Sequence, residues 1–159
     1  MTSSRFLTGL LVIAVAPLAL ASGPVEAQVS NYADGAVTID MGALPGGGGT
    51  PLAAALGAAL TLARQSQAHG LSPTLALLTD ARANITLDGR GDRAEATKDT
   101  TAMARLWRAQ NLPAIVIDIS ARPGPEPAQL AAEMNARHLP LPRADARRIS
   151  TAVTLALGG

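Results

Sequence analysis

Two short runs of this 159-residue chain, "PTLALLTD" at 73–80 and "PAIVIDI" at 113–119, are apolar at almost every position. A strand with one wet face alternates apolar and polar side chains. A strand without that alternation is buried on both faces, which is the mark of a parallel sheet covered by other elements. Parallel neighbours need a long crossover, usually a helix. The two runs therefore predict an α/β chain with a doubly wound, mainly parallel sheet, provided the segments between them can form helices.

They can. In "GGGGTPLAAALGAAL", Thr50 is a favoured N-cap and Pro51 has its φ preset for a first helical turn, so a helix is expected from Pro51 to about Gln67. Asp92 and Glu95 form a capping-box-like pair that predicts a helix to about Gln110. Ala102, Leu106 and Ala109 fall on one face of it. After "ARPGPEP", Pro125 or Pro127 starts a helix to about Arg137. "HLPLP" reads as extended and, being limited by proline, as an edge strand. A last helix is expected from about Ala144 to Leu157, and Ala36 to Met41 is a short β-rich run. No internal repeat is present.

Composition agrees with this class. Apolar residues make up 48% of the chain but aromatics only 2%, leaving Ala, Leu, Val and Ile to pack helices on a sheet. Thirteen basic against 12 acidic residues give a net charge of +1, so there is no basic field of the kind nucleic acid requires. With no cysteine, disulfides and thiolate metal sites are excluded. The two imidazoles are His69, beside Gly70 at a predicted helix end, and His138, in the extended segment. Both read as structural or exposed residues.

Residues 1–27 read differently. Arg5 precedes an apolar run from Phe6 to Ala21, and Ala19-Leu20-Ala21 resembles a small-residue cleavage site. That is a secretory-signal pattern, and the run is too short and too interrupted by Pro17 for a membrane span. The same run could instead be a buried strand or an unrelated peptide. The expected organisation is thus a signal-like or unrelated segment at 1–27, an unmatched linker at 28–42, and a domain at 43–159.

The four glycines at 46–49 can bring backbone close to a ligand. They do not make a phosphate loop: no Lys precedes a Ser or Thr, and the G-x-G-x-x-G spacing is broken. Ligands of doubly wound sheets sit beyond the carboxyl ends of the strands. Asp80 lies at such an end, and Thr50 belongs to a loop-to-helix junction on the same rim. A hydroxyl and a carboxylate are oxygen donors that suit Mg²⁺. The plainer roles are a helix cap for Thr50 and a loop acid for Asp80.

"LPGGGGTPLAAAL", "LALLTDARANITLDGRGDR", "LPAIVIDISARPGP" and "ARHLPLPRADA" occur in an order and spacing that resemble the C-terminal domain of the magnesium-chelatase D subunit. The resemblance spans about residues 43 to 153. It implies a von Willebrand factor A, or integrin I, fold with a metal-ion-dependent adhesion site. In that family the site is built from D-x-S-x-S, a later Thr and a later Asp; Thr50 matches the second piece and Asp80 the third. The first is absent: "DMGAL" from Asp40 lacks both serines, and Ala81 stands where the family has Gly after the Asp. The family's ATPase-type domain and acidic linker are not matched, so the domain is expected to be truncated on its N-terminal side.

The family inserts Mg²⁺ into protoporphyrin IX at the expense of ATP, in chlorophyll and bacteriochlorophyll biosynthesis. The resemblance implies a non-catalytic interaction domain with the chelatase I and H subunits as partners. It also implies a cytoplasmic location, no ATP site in this chain, and weak or absent Mg²⁺ binding. Arg90, Arg93, Arg143 and Arg147 are candidate partner contacts. Two other readings are an exported adhesion-type protein of the same fold, which takes residues 1–27 as a signal, and an α/β enzyme, for which no catalytic constellation is seen. With its first strands missing, the domain is expected to leave the edges of strands 74–79 and 114–119 bare, unless Ala36–Met41 or Leu10–Val15 pairs there.

Overall fold

A computed structural model describes residues 8–14, 28–31, 37–40, 49–120, 122, 124–141 and 151. Six strands form one sheet: β1 (Thr8–Ala14), β2 (Gln28–Asn31), β3 (Val37–Asp40), β4 (Ser72–Thr79), β5 (Ala114–Asp118) and β6 (Arg137–Pro140). Their spatial order is β2-β3-β1-β4-β5-β6. Every neighbouring pair is parallel except β2 with β3. Three helices accompany them: α1 (Leu52–Ala68), α2 (Arg93–Ala109) and α3 (Glu126–Met134). The α/β, mainly parallel class read from the two apolar runs is the observed one, and the three described helices all pack on one face of the sheet.

The runs behave as their composition dictates. Seven of the eight β4 residues and all five β5 residues are buried. Leu75, Leu77, Ala114 and Val116 join α1, α2 and α3 in the main core, with Trp107 at 0% exposure. Ala76, Leu78, Ile115 and Ile117 form a second cluster on the opposite face, with Leu139 and Leu141 against it. Residues on both faces are buried, as a strand without alternation requires.

The N-terminal half differs from expectation in one respect. β1 lies along β4 from Thr8↔Ser72 to Ala14↔Leu78, and β3 lies along β1. The β4 edge that was expected to be bare is therefore covered, by residues 8–14. An apolar run of this length is ambiguous in sequence, because a buried strand and a signal core share one composition. No helix among the described residues lies between β1 and β3 in the sequence.

Several local readings are corrected. Thr50 does not cap α1; Pro51 occupies the cap position, and no side-chain cap bond is made. The face of α2 that carries Ala102, Leu106 and Ala109 is exposed, with Leu106 at 48%. The buried stripe is Ala96, Thr100, Ala104 and Trp107. It escapes an apolar count because Thr100 enters the core with its hydroxyl donating to the Ala96 carbonyl, and the indole N–H of Trp107 donates to the Leu112 carbonyl. α3 stops at Met134 instead of continuing to Arg137, because Asn135 adopts a left-handed φ of 55° and the Ala136 N–H closes on the Ala131 carbonyl. Asp92 caps α2 as expected, its carboxylate accepting from the Glu95 N–H. β6 is the edge strand expected at "HLPLP". The helix expected at 144–157 lies outside the described residues, apart from Thr151.

Candidate functional site

The strand order fixes where a ligand could sit. From β1 the chain passes to the outer edge at β2 and returns through β3 on one side, and from β4 it moves out toward β5 and β6 on the other. The direction reverses between β1 and β4, and the crevice of such a sheet opens at the carboxyl ends of the strands flanking that reversal. β4 ends there at Thr79, followed at once by Asp80.

The loop after β4 is built by its own polar side chains. The Thr79 hydroxyl accepts from the Ala81 N–H at 2.9 Å, and Asp80 Oδ1 accepts from the Arg82 N–H at 3.1 Å. Ala81 takes a positive φ of 56°. That is the conformation in which glycine costs least, so the residue where the resemblance expected Gly is held in a glycine-like geometry. Asn84 then reaches across to the start of α1: its Oδ1 accepts from the Thr50 N–H at 2.5 Å, and its own N–H donates to the Thr50 carbonyl at 3.4 Å. Thr50 is 6% exposed, and its hydroxyl makes no hydrogen bond among the described residues. Asp80 is half-buried.

Thr50 and Asp80 thus stand on one rim, joined through the Asn84 loop, with a hydroxyl that does not cap the helix and a carboxylate that retains one oxygen outside its turn. Two donors are not a cage. Mg²⁺ demands near-octahedral oxygen coordination. The chain after β1 reads Val15-Ala16-Pro17, with no oxygen side chain before Ser22. No group of three or more His, Asp or Glu side chains suited to a metal occurs among the described residues. The residues present do not fit a complete adhesion-type metal site.

Asn84 was not singled out in sequence, although a short polar side chain five residues past a strand end, in a loop, is a common turn-former. Asp118, at the end of β5, was also missed; its carboxylate accepts from the Ser120 N–H at 2.8 Å and lies 3.7 Å from His138 Nε2. Of the arginines, Arg90 is paired with Asp88 at 2.7 Å, and Arg93 approaches Glu126 at 3.8 Å. The Thr86 hydroxyl and Arg90 hold the Asp88 carboxyl below its ordinary range. Arg143 and Arg147 lie outside the described residues.

Fold and rim together define an α/β domain with a mainly parallel sheet, whose oxygen donors gather at the carboxyl ends of its strands. Over 115 residues the chain is 50% identical to the magnesium-chelatase 60 kDa subunit of Cereibacter sphaeroides, covering 72% of this chain and 21% of that protein. The 60 kDa subunit of Rhodobacter capsulatus is 46% identical over 114 residues, 72% of this chain and 20% of its own length. The 67 kDa subunit of Chlorobaculum tepidum is 32% identical over 120 residues. Over this segment the chain is homologous to these magnesium-chelatase subunits, and it spans about a fifth of the length of the curated relatives it matches. No protein-family model and no solved structure matches it. Among the described residues, no helix is long and apolar enough to cross a membrane.

Proposed function

We propose that this chain is the carboxyl-terminal interaction domain of a magnesium-chelatase D subunit, of von Willebrand factor A type. It would support the ATP-driven insertion of Mg²⁺ into protoporphyrin IX by contacting the chelatase I and H subunits. The observation that carries the reading is the 50% identity over 115 residues to a chelatase subunit. A sheet of mixed order with its loops gathered at one rim is the expected platform for such contacts. The domain would work as a binding surface, a reading that the lack of a phosphate-loop motif in the sequence supports.

Thr50 and Asp80 remain the positions at which the family places metal ligands, and with the D-x-S-x-S segment missing they would hold Mg²⁺ weakly or not at all. A cytoplasmic location goes with this reading. The position of residues 8–14 within the sheet favours it over export, because removal of a signal up to Ala21 would take β1 away. A competition assay tests the proposal. Added in excess to a reconstituted chelatase, the purified chain should lower the rate of Mg-protoporphyrin formation by displacing the intact D subunit. An unchanged rate at saturating excess would refute it.

A further inference from the structure

Beyond the ends of β4 and β5 a cleft of about 260 Å³ opens, lined by Asp80, Arg82, Ser120 and Arg122. Arg82 and Arg122 are both exposed, and neither guanidinium enters an ion pair or a hydrogen bond among the described residues. Arg90, Arg105 and, more loosely, Arg93 are engaged by Asp88, Glu133 and Glu126; Arg64, Arg108 and Arg137 are also outside any ion pair among the described residues, but they do not line this cleft. Ser120 is 5% exposed; Asp118 takes its backbone N–H, while its hydroxyl makes no hydrogen bond among the described residues. The cleft therefore collects two unpaired cations and a hydroxyl, on the rim where doubly wound sheets hold their ligands.

We propose that this cleft is a carboxylate-binding site that needs no metal, taking the Asp or Glu side chain of a partner polypeptide. A guanidinium presents a planar fork of N–H donors that matches a carboxylate in a bidentate fashion. Two guanidiniums and the Asp80 carboxylate leave the cleft with one net positive charge, which a single carboxylate neutralises. A phosphate dianion would bring a second negative charge against Asp80. The Ser120 hydroxyl can donate to the bound oxygen. The inference rests on the cleft alone and stands or falls separately from chelatase membership.

The test is an amide-resolved NMR titration of the full chain in the presence of a chelator of divalent cations. The probe is N-acetyl-glutamate N-methylamide, with the glutamine analogue and inorganic phosphate as parallel arms. Saturable shifts at Arg82 and Ser120 with the glutamate probe, and none with the glutamine analogue, are expected. The Arg82→Gln/Arg122→Gln double variant should weaken that binding by about tenfold or more, with the amides of α1 and β4 unmoved as a check on the fold. An equal response to glutamine, tighter binding of phosphate, a requirement for Mg²⁺, or full binding by the double variant would each overturn the assignment.

Discussion

Thr50 and Asn84 exchange two hydrogen bonds across 34 residues of chain, one from the Thr50 N–H to Asn84 Oδ1 and one from the Asn84 N–H to the Thr50 carbonyl. The pair fastens the entrance of α1 to the loop that follows β4. The amide side chain of Asn84 supplies the shorter of the two bonds that set the register between Thr50 and the loop of Asp80. Asn84→Ala leaves the buried Thr50 N–H without its partner, and a buried donor left unsatisfied costs about 1–3 kcal/mol. Urea denaturation of the variant should show a loss in that range with an unchanged slope. An unchanged midpoint would mean that the clamp contributes nothing.

The core is tested at Trp107, the chain's single tryptophan, which has 0% exposure and a bond to the Leu112 carbonyl. Trp107→Ala should cost about 3–5 kcal/mol, as aromatic truncations in packed cores do. Trp107→Phe keeps most of the volume but leaves the carbonyl unpaired, so its loss should be smaller. Thermal unfolding followed by circular dichroism ranks the two variants; equal losses would show that the indole N–H carries the effect.

β1 lies between β3 and β4 and pairs with β4 over seven residues. A chain beginning at Ser22 exposes the edge and one flank of β4, and a long apolar edge is an aggregation site. Size-exclusion chromatography should show the shortened chain as aggregates, and chemical denaturation should show no cooperative transition. A monomer that unfolds with the full chain's midpoint would make β1 dispensable.

Mg²⁺ should bind weakly or not at all, because Thr50 and Asp80 alone leave the ion mostly hydrated. Calorimetry is expected to give no heat of binding at micromolar Mg²⁺. A micromolar affinity that disappears in Asp80→Ala would show that other oxygens complete the site.

Acid should weaken the contact between α2 and α3. Arg105 donates to both carboxylate oxygens of Glu133, at 2.9 and 3.2 Å, and holds that carboxyl below its ordinary range. A carboxyl with a depressed folded-state pKa stabilises the fold above the ordinary glutamate range, and that contribution is lost as pH falls through the depressed value. The pair is exposed, so the effect is small and fades with salt. Glu133→Gln should flatten the fall of stability with acid at low ionic strength and leave the high-salt curve unchanged. An identical fall in both proteins would remove the pair from the acid response.

How much of this was legible in the sequence follows from what each signal depends on. The unbroken apolar runs at β4 and β5 report burial on two faces directly, and Asp92 reports a cap through chemistry confined to three residues. Thr50 misled because a cap and a tertiary contact use the same residue type, and only the distant Asn84 decides between them. The buried face of α2 was missed because Thr100 satisfies its hydroxyl inside the helix and so packs as an apolar residue. β1 was ambiguous because its run suits two destinations equally. The Arg82–Arg122 cleft was invisible, since its residues meet only when β4 and β5 lie side by side.

The proposed role of this segment as a chelatase interaction domain is tested most closely by direct binding. The purified chain, immobilised, should retain the chelatase I or H subunit from solution with an affinity comparable to that of the corresponding segment of the Rhodobacter capsulatus 60 kDa subunit measured alongside. Retention of neither subunit by this chain, under conditions where the Rhodobacter segment binds, would contradict the account.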